Sequence, residues 1–424
     1  MKRFLVILSQ IIVGLTFIVS GIVKCIDPVG TSIKLHDYFA VLGLSFFDDW
    51  TMFFAWCLCL GEFIIGLNVL FGRNRNLFTY LALAVMVVFT PLTLYLAIAN
   101  PVNDCGCFGD AIVLTNWQTF WKNIVLLSCS VILVLYKDKI YQTTKQDFFT
   151  IIFYWELIVA VVLCYLGTNR LPLIDFRPFR PGVNIIEAMG SDDESADVSY
   201  VCVYQKDGEK KDFVLDNLPD EESGWDFVET KEVTSSGKVV KSKGPEIADF
   251  FLFDELGGDM TEIVLNDPNY TFLLVSPTLA NANEKYLDRI ENLYEYCMED
   301  GYNFYCVTLN DSVQVNRWKY RTGAEYDFLY SDVTILETVI RSNPGVVLLK
   351  EGTILWKSCL NELDIDELTS AKLSEQTYGE IIEDNKKTKV FWLVFLMLAP
   401  ILLYLPIEKT ILYYRKQKSE TKNK

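Results

Sequence analysis

Six long apolar runs punctuate the chain, at roughly Phe4–Val23, Trp50–Phe71, Leu77–Ala99, Trp117–Tyr136, Phe148–Gly167 and Val390–Pro406. Each approaches the ~20 residues a helix needs to cross ~30 Å of hydrocarbon. Six crossings return both termini to one side. The first run follows Met1-Lys2-Arg3, as a signal peptide would. It is long for a signal h-region, and Lys24 and Cys25 follow it in place of a small-residue cleavage site. It therefore reads as a retained helix. Pro91 falls inside the third run, where a proline kinks a helix and opens space for a ligand. Trp50, Trp117 and Trp121 stand at helix starts, as interface anchors do.

Between the fifth and sixth runs the periodicity changes. The prolines of Arg170-Leu171-Pro172 through Arg180-Pro181-Gly182 predict an extended linker. Val198–Tyr204 and Lys211–Leu215 alternate apolar and polar residues around Lys206-Asp207-Gly208-Glu209, a hairpin pattern. Asp216–Gly244 reads as loops with one more short strand. From Ile247 to Glu367 strands and helices alternate. Strands are predicted at Tyr270–Ser276 and Asn303–Thr308, and helices at Ala280–Met298 and Val313–Gly323. A hairpin joins Val346–Lys350 to Thr353–Lys357, and a last helix covers Leu363–Ser374. This order describes an α/β layer sandwich.

Charge orients the spans. The chain carries a formal net charge of −17. Placing Lys2 and Arg3 in the cytoplasm puts Arg73, Arg75, Lys137, Lys139, Lys145 and the tail cations from Lys409 to Lys424 on the same side. The opposite short loops carry Asp27, Asp37, Asp48, Asp49, Asp104 and Asp110, with Lys24 and Lys34 as exceptions. Thr168–Thr388 then lies outside, with 21 Lys and Arg against 43 Asp and Glu. An acidic domain of this kind excludes nucleic acid, whose phosphates demand cations, and disfavours lying on anionic lipid.

The chemistry concentrates in Asn103-Asp104-Cys105-Gly106-Cys107-Phe108-Gly109-Asp110, between the third and fourth spans. A disulfide within Cys-x-Cys closes a small, strained and easily reduced ring, and the outer face is the oxidising side. Cys105 and Cys107 are therefore a candidate redox pair. The alternatives are a structural turn shaped by Gly106 and Gly109, or metal binding. The metal reading suffers from a lack of ligands, since the chain has a single histidine, His36, in the first outer loop near Asp37. No metal is assigned. With 11 cysteines at least one thiol stays outside intramolecular pairing. Cys25, at the outer end of the first helix, is the candidate partner thiol for the loop. Cys57 and Cys59 point to nearly opposite helix faces. Cys129, Cys164, Cys202, Cys297, Cys306 and Cys359 read as small buried hydrophobes. Glu62 and Glu156 lie inside apolar helices, where an acid is costly and faces the bundle interior. Either a proton or ligand role or a structural hydrogen bond would account for them.

Residues 1–136 resemble the DoxX/MauE superfamily of four-helix bacterial membrane proteins. The resemblance rests on Ser20-Gly21-Ile22-Val23-Lys24, on Glu62-Phe63-Ile64-Ile65-Gly66-Leu67, and above all on Asp104-Cys105-Gly106-Cys107-Phe108-Gly109 with Trp117 and Trp121-Lys122-Asn123 downstream. Lys122 stands where this branch often carries Arg. The resemblance implies either maturation of a periplasmic enzyme through its disulfides, as for MauE-like proteins, or quinone-coupled redox chemistry, as for some DoxX-like ones. Residues 247–375 are similar to a thioredoxin fold. Asn343-Pro344-Gly345 resembles the loop that carries a cis proline there. The position of the Cys-x-x-Cys pair, however, reads Ser276-Pro277-Thr278-Leu279-Ala280-Asn281, and a dithiol cannot work there. The whole layout resembles a group of Bacteroidetes inner-membrane proteins.

The expected architecture is a membrane all-α helical bundle with an extracytoplasmic α/β thioredoxin-like domain. Its parts are a four-helix core (1–136), a fifth span (137–167), an acidic hairpin region (168–246), the thioredoxin-like domain (247–375), a sixth span (389–406) and a basic cytoplasmic tail (407–424). Three functions fit. One is a thiol–disulfide relay or maturation factor for an envelope protein. Another is a non-enzymatic scaffold that recruits a partner through the outer domain. The third is a quinone-linked redox protein with Glu62 near its ligand. The lipid membrane is a partner in all three, and whether the protein is an enzyme stays open.

Overall fold

Five helices long and apolar enough to cross a membrane form the first part of the computed structural model. The structure describes residues 2–100, 106–142, 146–190, 198–206, 209–214, 226–234, 247, 250–309, 311–382, 385–400 and 402–403. The long helices are α1 (Lys2–Ile26), α3 (Thr51–Phe71), α4 (Arg75–Ala99), α5 (Asn116–Leu135) and α6 (Gln146–Asn169). They match five of the six predicted spans to within three residues at each end. Residues 386–400 are also helical. The remainder of the predicted sixth span, apart from 402–403, lies outside the described residues, as does the basic tail. The chain divides into two units, one of Met1–Arg177, Ile340–Ser342 and Asp384–Lys424, the other of Pro178–Val339 and Asn343–Glu383. The predicted fifth span thus belongs to the same unit as the first four helices, because its apolar face packs among them.

In the helical unit, glycines decide how closely α1 approaches α3. A Cβ on Gly21 would lie 2.7 Å from the Phe63 backbone nitrogen, and one on Gly66 would lie 2.6 Å from that of Ile18. Small residues at such seams let membrane helices pack backbone to backbone. One cluster of apolar side chains joins Val6, Val13 and Phe17 to Ile65, Met86, Leu126 and Leu133. A second joins Cys25, Cys59, Phe63, Leu163 and Cys164. The sequence reading missed α2 (Pro28–Val41), which occupies the first outer loop. Its start was legible: Asp27 caps it by accepting from the Gly30 N–H, and Pro28 supplies the first turn. Thr115 and Gln118 form a capping box at the start of α5. β1 (Cys107–Asp110) lies between α4 and α5 in the chain.

In the α/β unit, a short helix α7 (Ile185–Met189) precedes two sheets. The first has the order β3-β2-β4, with β2 (Val198–Lys206), β3 (Glu209–Val214) and β4 (Asp226–Thr234) all antiparallel. This is the predicted hairpin with its extra strand. The turn residues 207–208 lie outside the described residues. After α8 (Thr261–Leu265), the second sheet runs β7-β6-β5-β8-β9. Its strands are β5 (Tyr270–Ser276), β6 (Asn303–Thr308), β7 (Asp327–Tyr330), β8 (Gly345–Lys350) and β9 (Thr353–Cys359). β5 pairs in parallel with β6 and antiparallel with β8, and β8 pairs antiparallel with β9. That is the mixed sheet of a thioredoxin-like fold. Helices α9 (Leu287–Asp300), α10 (Ser312–Thr322), α11 (Val333–Val339) and α12 (Ile365–Leu368) complete the unit.

Three expectations here need correction. The helix predicted over Ala280–Met298 begins at Leu287, because 3-10 turns at Leu279–Asn281 and Glu284–Tyr286 take its first part. The last helix is only Ile365–Leu368, followed by 3-10 turns. β7 and α11 went unpredicted because β7 has only four residues, too few to show a period. Asn343–Pro344 is a cis peptide. Ser276 Oγ donates to Asn343 Oδ1 at 2.6 Å, and Asn343 Nδ2 donates to the Thr278 carbonyl at 2.9 Å. Hydrogen bonds thus occupy the place where a dithiol would work.

Candidate functional site

α1 brings Ser20 and Lys24, four residues apart, onto one face. α3 presents Glu62 to both. Lys24 Nζ donates to Glu62 Oε1 at 2.7 Å and to Oε2 at 2.8 Å. The Lys24 side chain is 4% exposed and that of Glu62 10%. Two charges so buried hold only because each neutralises the other. Ser20 Oγ donates to Glu62 Oε2 at 2.7 Å, and it lies 2.6 Å from the Cys107 carbonyl oxygen. The membrane ion pair is thereby tied to the Cys-Gly-Cys loop.

The loop itself needs its glycines. Gly106 and Gly109 have φ of +59° and +52°, and the Gly109 N–H donates to the Gly106 carbonyl at 2.9 Å. Other residues pay about 1 kcal/mol or more for that conformation. Lys122 of α5 places its ammonium 4.5 Å from the centre of the Phe108 ring, a cation–π contact. Beneath the loop lies a cavity lined by Phe17, Ser20, Lys24, Lys34, Tyr38, Glu62, Met86, Cys107, Lys122 and Asn123. Most of its exposed wall is apolar, and Ser20, Lys24 and Glu62 converge on it. Asn123 Nδ2 donates to Thr93 Oγ1 at 3.2 Å, which fixes that wall.

The predicted site residues fall as follows. Cys107 is half-buried at the cavity. Cys105 lies outside the described residues. Glu62 lines the cavity. Cys25 is fully buried and belongs to the same side-chain cluster as Cys59 and Cys164. Cys57 is exposed, as the opposite-face argument expected. Glu156 is buried in α6, and its Oε2 has no hydrogen-bond partner. Asn68 donates to the Ile64 carbonyl, away from Glu62. His36 lies 3.7 Å from Asp48 and is exposed. In the α/β unit, burial pushes the Cys297 and Cys306 thiols well above the ordinary range, so both stay protonated. Lys24 was the residue the sequence reading missed, taken as a loop cation. The available clue was Glu62 itself, since a lone acid in an apolar helix calls for a cation on a neighbouring one.

Residues 2–136 match the family model described as methylamine utilisation protein MauE. This helical segment is similar to MauE over its whole length. The cavity, the Lys24–Glu62 pair and the loop all belong to it. Residues 198–236, the three-stranded sheet, match a domain of unknown function. No curated protein matches the chain. A solved structure that matches is titled "Solution structure of a putative protein disulfide isomerase from Bacteroides thetaiotaomicron". It shares 14% identity, and the alignment covers 33% of this chain and 91% of that one at a TM-score of 0.24. At that score strand order and pairing, not the match, identify the α/β unit as thioredoxin-like. The protein is a multi-pass membrane protein whose first helices are similar to MauE and whose α/β unit has no Cys-x-x-Cys pair.

Proposed function

We propose that this protein is a thiol–disulfide exchange or maturation factor of the bacterial inner membrane, acting through Cys105 and Cys107 on an envelope protein. The termini lie in the cytoplasm and residues 168–388 in the periplasm. The observation that carries the reading is the attachment of Cys107 to the Ser20–Glu62–Lys24 group. A pair that exchanges needs one sulfur as thiolate, and the buried ammonium of Lys24 is the cation at hand. The α/β unit, with Ser276 and Asn343 in place of a dithiol, serves as a docking surface for the client.

A second reading has a specific support. Ser20 Oγ has one proton and two acceptors beside it, Glu62 Oε2 and the Cys107 carbonyl. A quinone in the cavity would lie beside Ser20 and Glu62 and would reoxidise the loop.

The test is trapping. Cys105→Ser leaves Cys107 to hold a client as a mixed disulfide on a non-reducing gel. Cys107→Ser traps less or nothing, because one thiol attacks and the other resolves. If neither variant traps a protein while Gly106→Val or Gly109→Val impairs folding, the loop is a structural turn and the scaffold reading stands. In membranes carrying the reduced loop, added quinone should restore the disulfide, and Glu62→Gln should abolish that step. Equal reoxidation without quinone removes the quinone reading alone.

A further inference from the structure

Three cysteines from three helices meet inside the helical unit, away from water. Cys25 ends α1, Cys59 lies on α3 and Cys164 on α6, each with 0% exposure. All three belong to one buried side-chain cluster. Close backbone contacts flank Cys25 on both sides. A Cβ on Gly21, one turn before Cys25, would lie 2.9 Å from the Cys59 carbonyl. One on Gly167, one turn after Cys164, would meet the Ile26 carbonyl, next to Cys25. Helices whose backbones approach this closely leave a short span between side chains on their facing sides, and a disulfide asks for a Cβ–Cβ distance of about 3.8 Å. Among the described residues no group is arranged to hold a metal ion. Lys24, next to Cys25 in the chain, lines the cavity together with Cys107. A single buried cysteine is ordinarily packing. Three in one buried cluster, beside the residue that reaches the outer loop's cavity, are a dithiol with a spare.

We propose that Cys25, Cys59 and Cys164 are a second thiol redox centre, in which Cys25 closes a disulfide with Cys59 or Cys164 as the Cys105–Cys107 disulfide opens. This deepens the exchange reading above and rests on it for the oxidant. A thiolate of the cluster attacks the Cys107 sulfur, the Cys105–Cys107 bond breaks, and Cys105 leaves as thiolate and takes the proton the attacking thiol gave up. A second cluster thiol then attacks the mixed disulfide. The intracluster S–S bond forms and Cys107 leaves with that thiol's proton. Two thiols are oxidised, one disulfide is reduced, and no further acceptor is required. Transfer requires β1 to move inward along α1. Its direction follows from ring strain, since the small Cys-x-Cys ring is the more oxidising of the two. The apolar walls of the cluster keep water-soluble thiols out, so the loop is its route for electrons.

The experiment uses the full chain in detergent. A Cys105→Ser/Cys107→Ser variant is treated with diamide, denatured and alkylated with maleimide, and its peptides are mapped by mass. We expect two fewer maleimides than in the untreated protein, with the disulfide at Cys25 and either Cys59 or Cys164. Adding Cys25→Ser should restore both. Full alkylation of all three thiols after diamide, or a bond between Cys59 and Cys164 alone, overturns the centre. In the wild-type chain, oxidised at the loop and then incubated, the disulfide should move to Cys25. If it stays in the loop, the exchange step is wrong. A loop that never oxidises refutes the earlier reading of Cys105 and Cys107, while the diamide result still decides the cluster.

Discussion

Replacing Glu62 by Gln tests the Lys24–Glu62 pair most directly. The substitution keeps the size of the side chain and an oxygen for Ser20 to donate to, but removes the charge opposite Lys24. Lys24 is then an ammonium with a 4% exposed side chain and no counter-charge from Glu62. Removing one partner of a buried pair costs about 3–5 kcal/mol, because the other charge is left desolvated. At about 2–4 °C per kcal/mol for a unit of roughly 150–250 residues, the melting temperature should fall by about 6–20 °C. The readout is pulse labelling with maleimide along a thermal ramp in detergent, resolved by mass. Cys59 and Cys164 are buried in the helical unit, and Cys297 and Cys306 in the α/β unit. Labelling of the first two should move to lower temperature, while labelling of the second two stays in place. The double variant Lys24→Met/Glu62→Leu should recover most of the loss, since apolar side chains of similar volume carry no desolvation cost. A drop below about 2 °C for Glu62→Gln, or a double variant as unstable as the sum of the singles, would show that the pair is not the neutralised unit argued here.

Two further outcomes follow. A cysteine placed in the Gly72–Asn76 loop should be shielded from a membrane-impermeant reagent in spheroplasts, and one at Glu221 should be labelled; the reverse would overturn the orientation drawn from Lys and Arg. Asp27 lies 2.8 Å from Arg341, which is grouped with the helical unit. Burial would raise the Asp27 carboxyl, but the Arg341 guanidinium outweighs it and holds the carboxyl below its usual range. A depressed folded-state value means stabilisation that is fully present above about pH 4, the unfolded value, and is lost as pH falls through the folded one. Asp27→Asn, which can still cap α2, should therefore melt earlier than wild type at pH 7, and the gap should narrow below about pH 4. A gap unchanged down to pH 3 would refute the ion pair's contribution.

What the residues determined alone was everything that depends on near neighbours. Apolar length placed α1, α3, α4, α5 and α6, because the bilayer demands a minimum run of hydrocarbon. A compact apolar run placed β5 at its observed ends, Tyr270–Ser276, and β6 was expected where it lies, at Asn303–Thr308. Two glycines marked the turn at Cys107. Asp27-Pro28 marks the start of α2 by the same local logic. Tertiary structure alone decided which residues meet. Lys24 reads as a loop cation until the seam of Gly14, Gly21 and Gly66 sets the distance and rotation of α1 against α3, and so turns Lys24 toward Glu62. Cys25 read as a partner for the loop, and Cys59 and Cys164 as packing. Helix rotation put all three in one place. Rotation and close approach are set by side chains scattered over more than a hundred residues, and no local pattern records them.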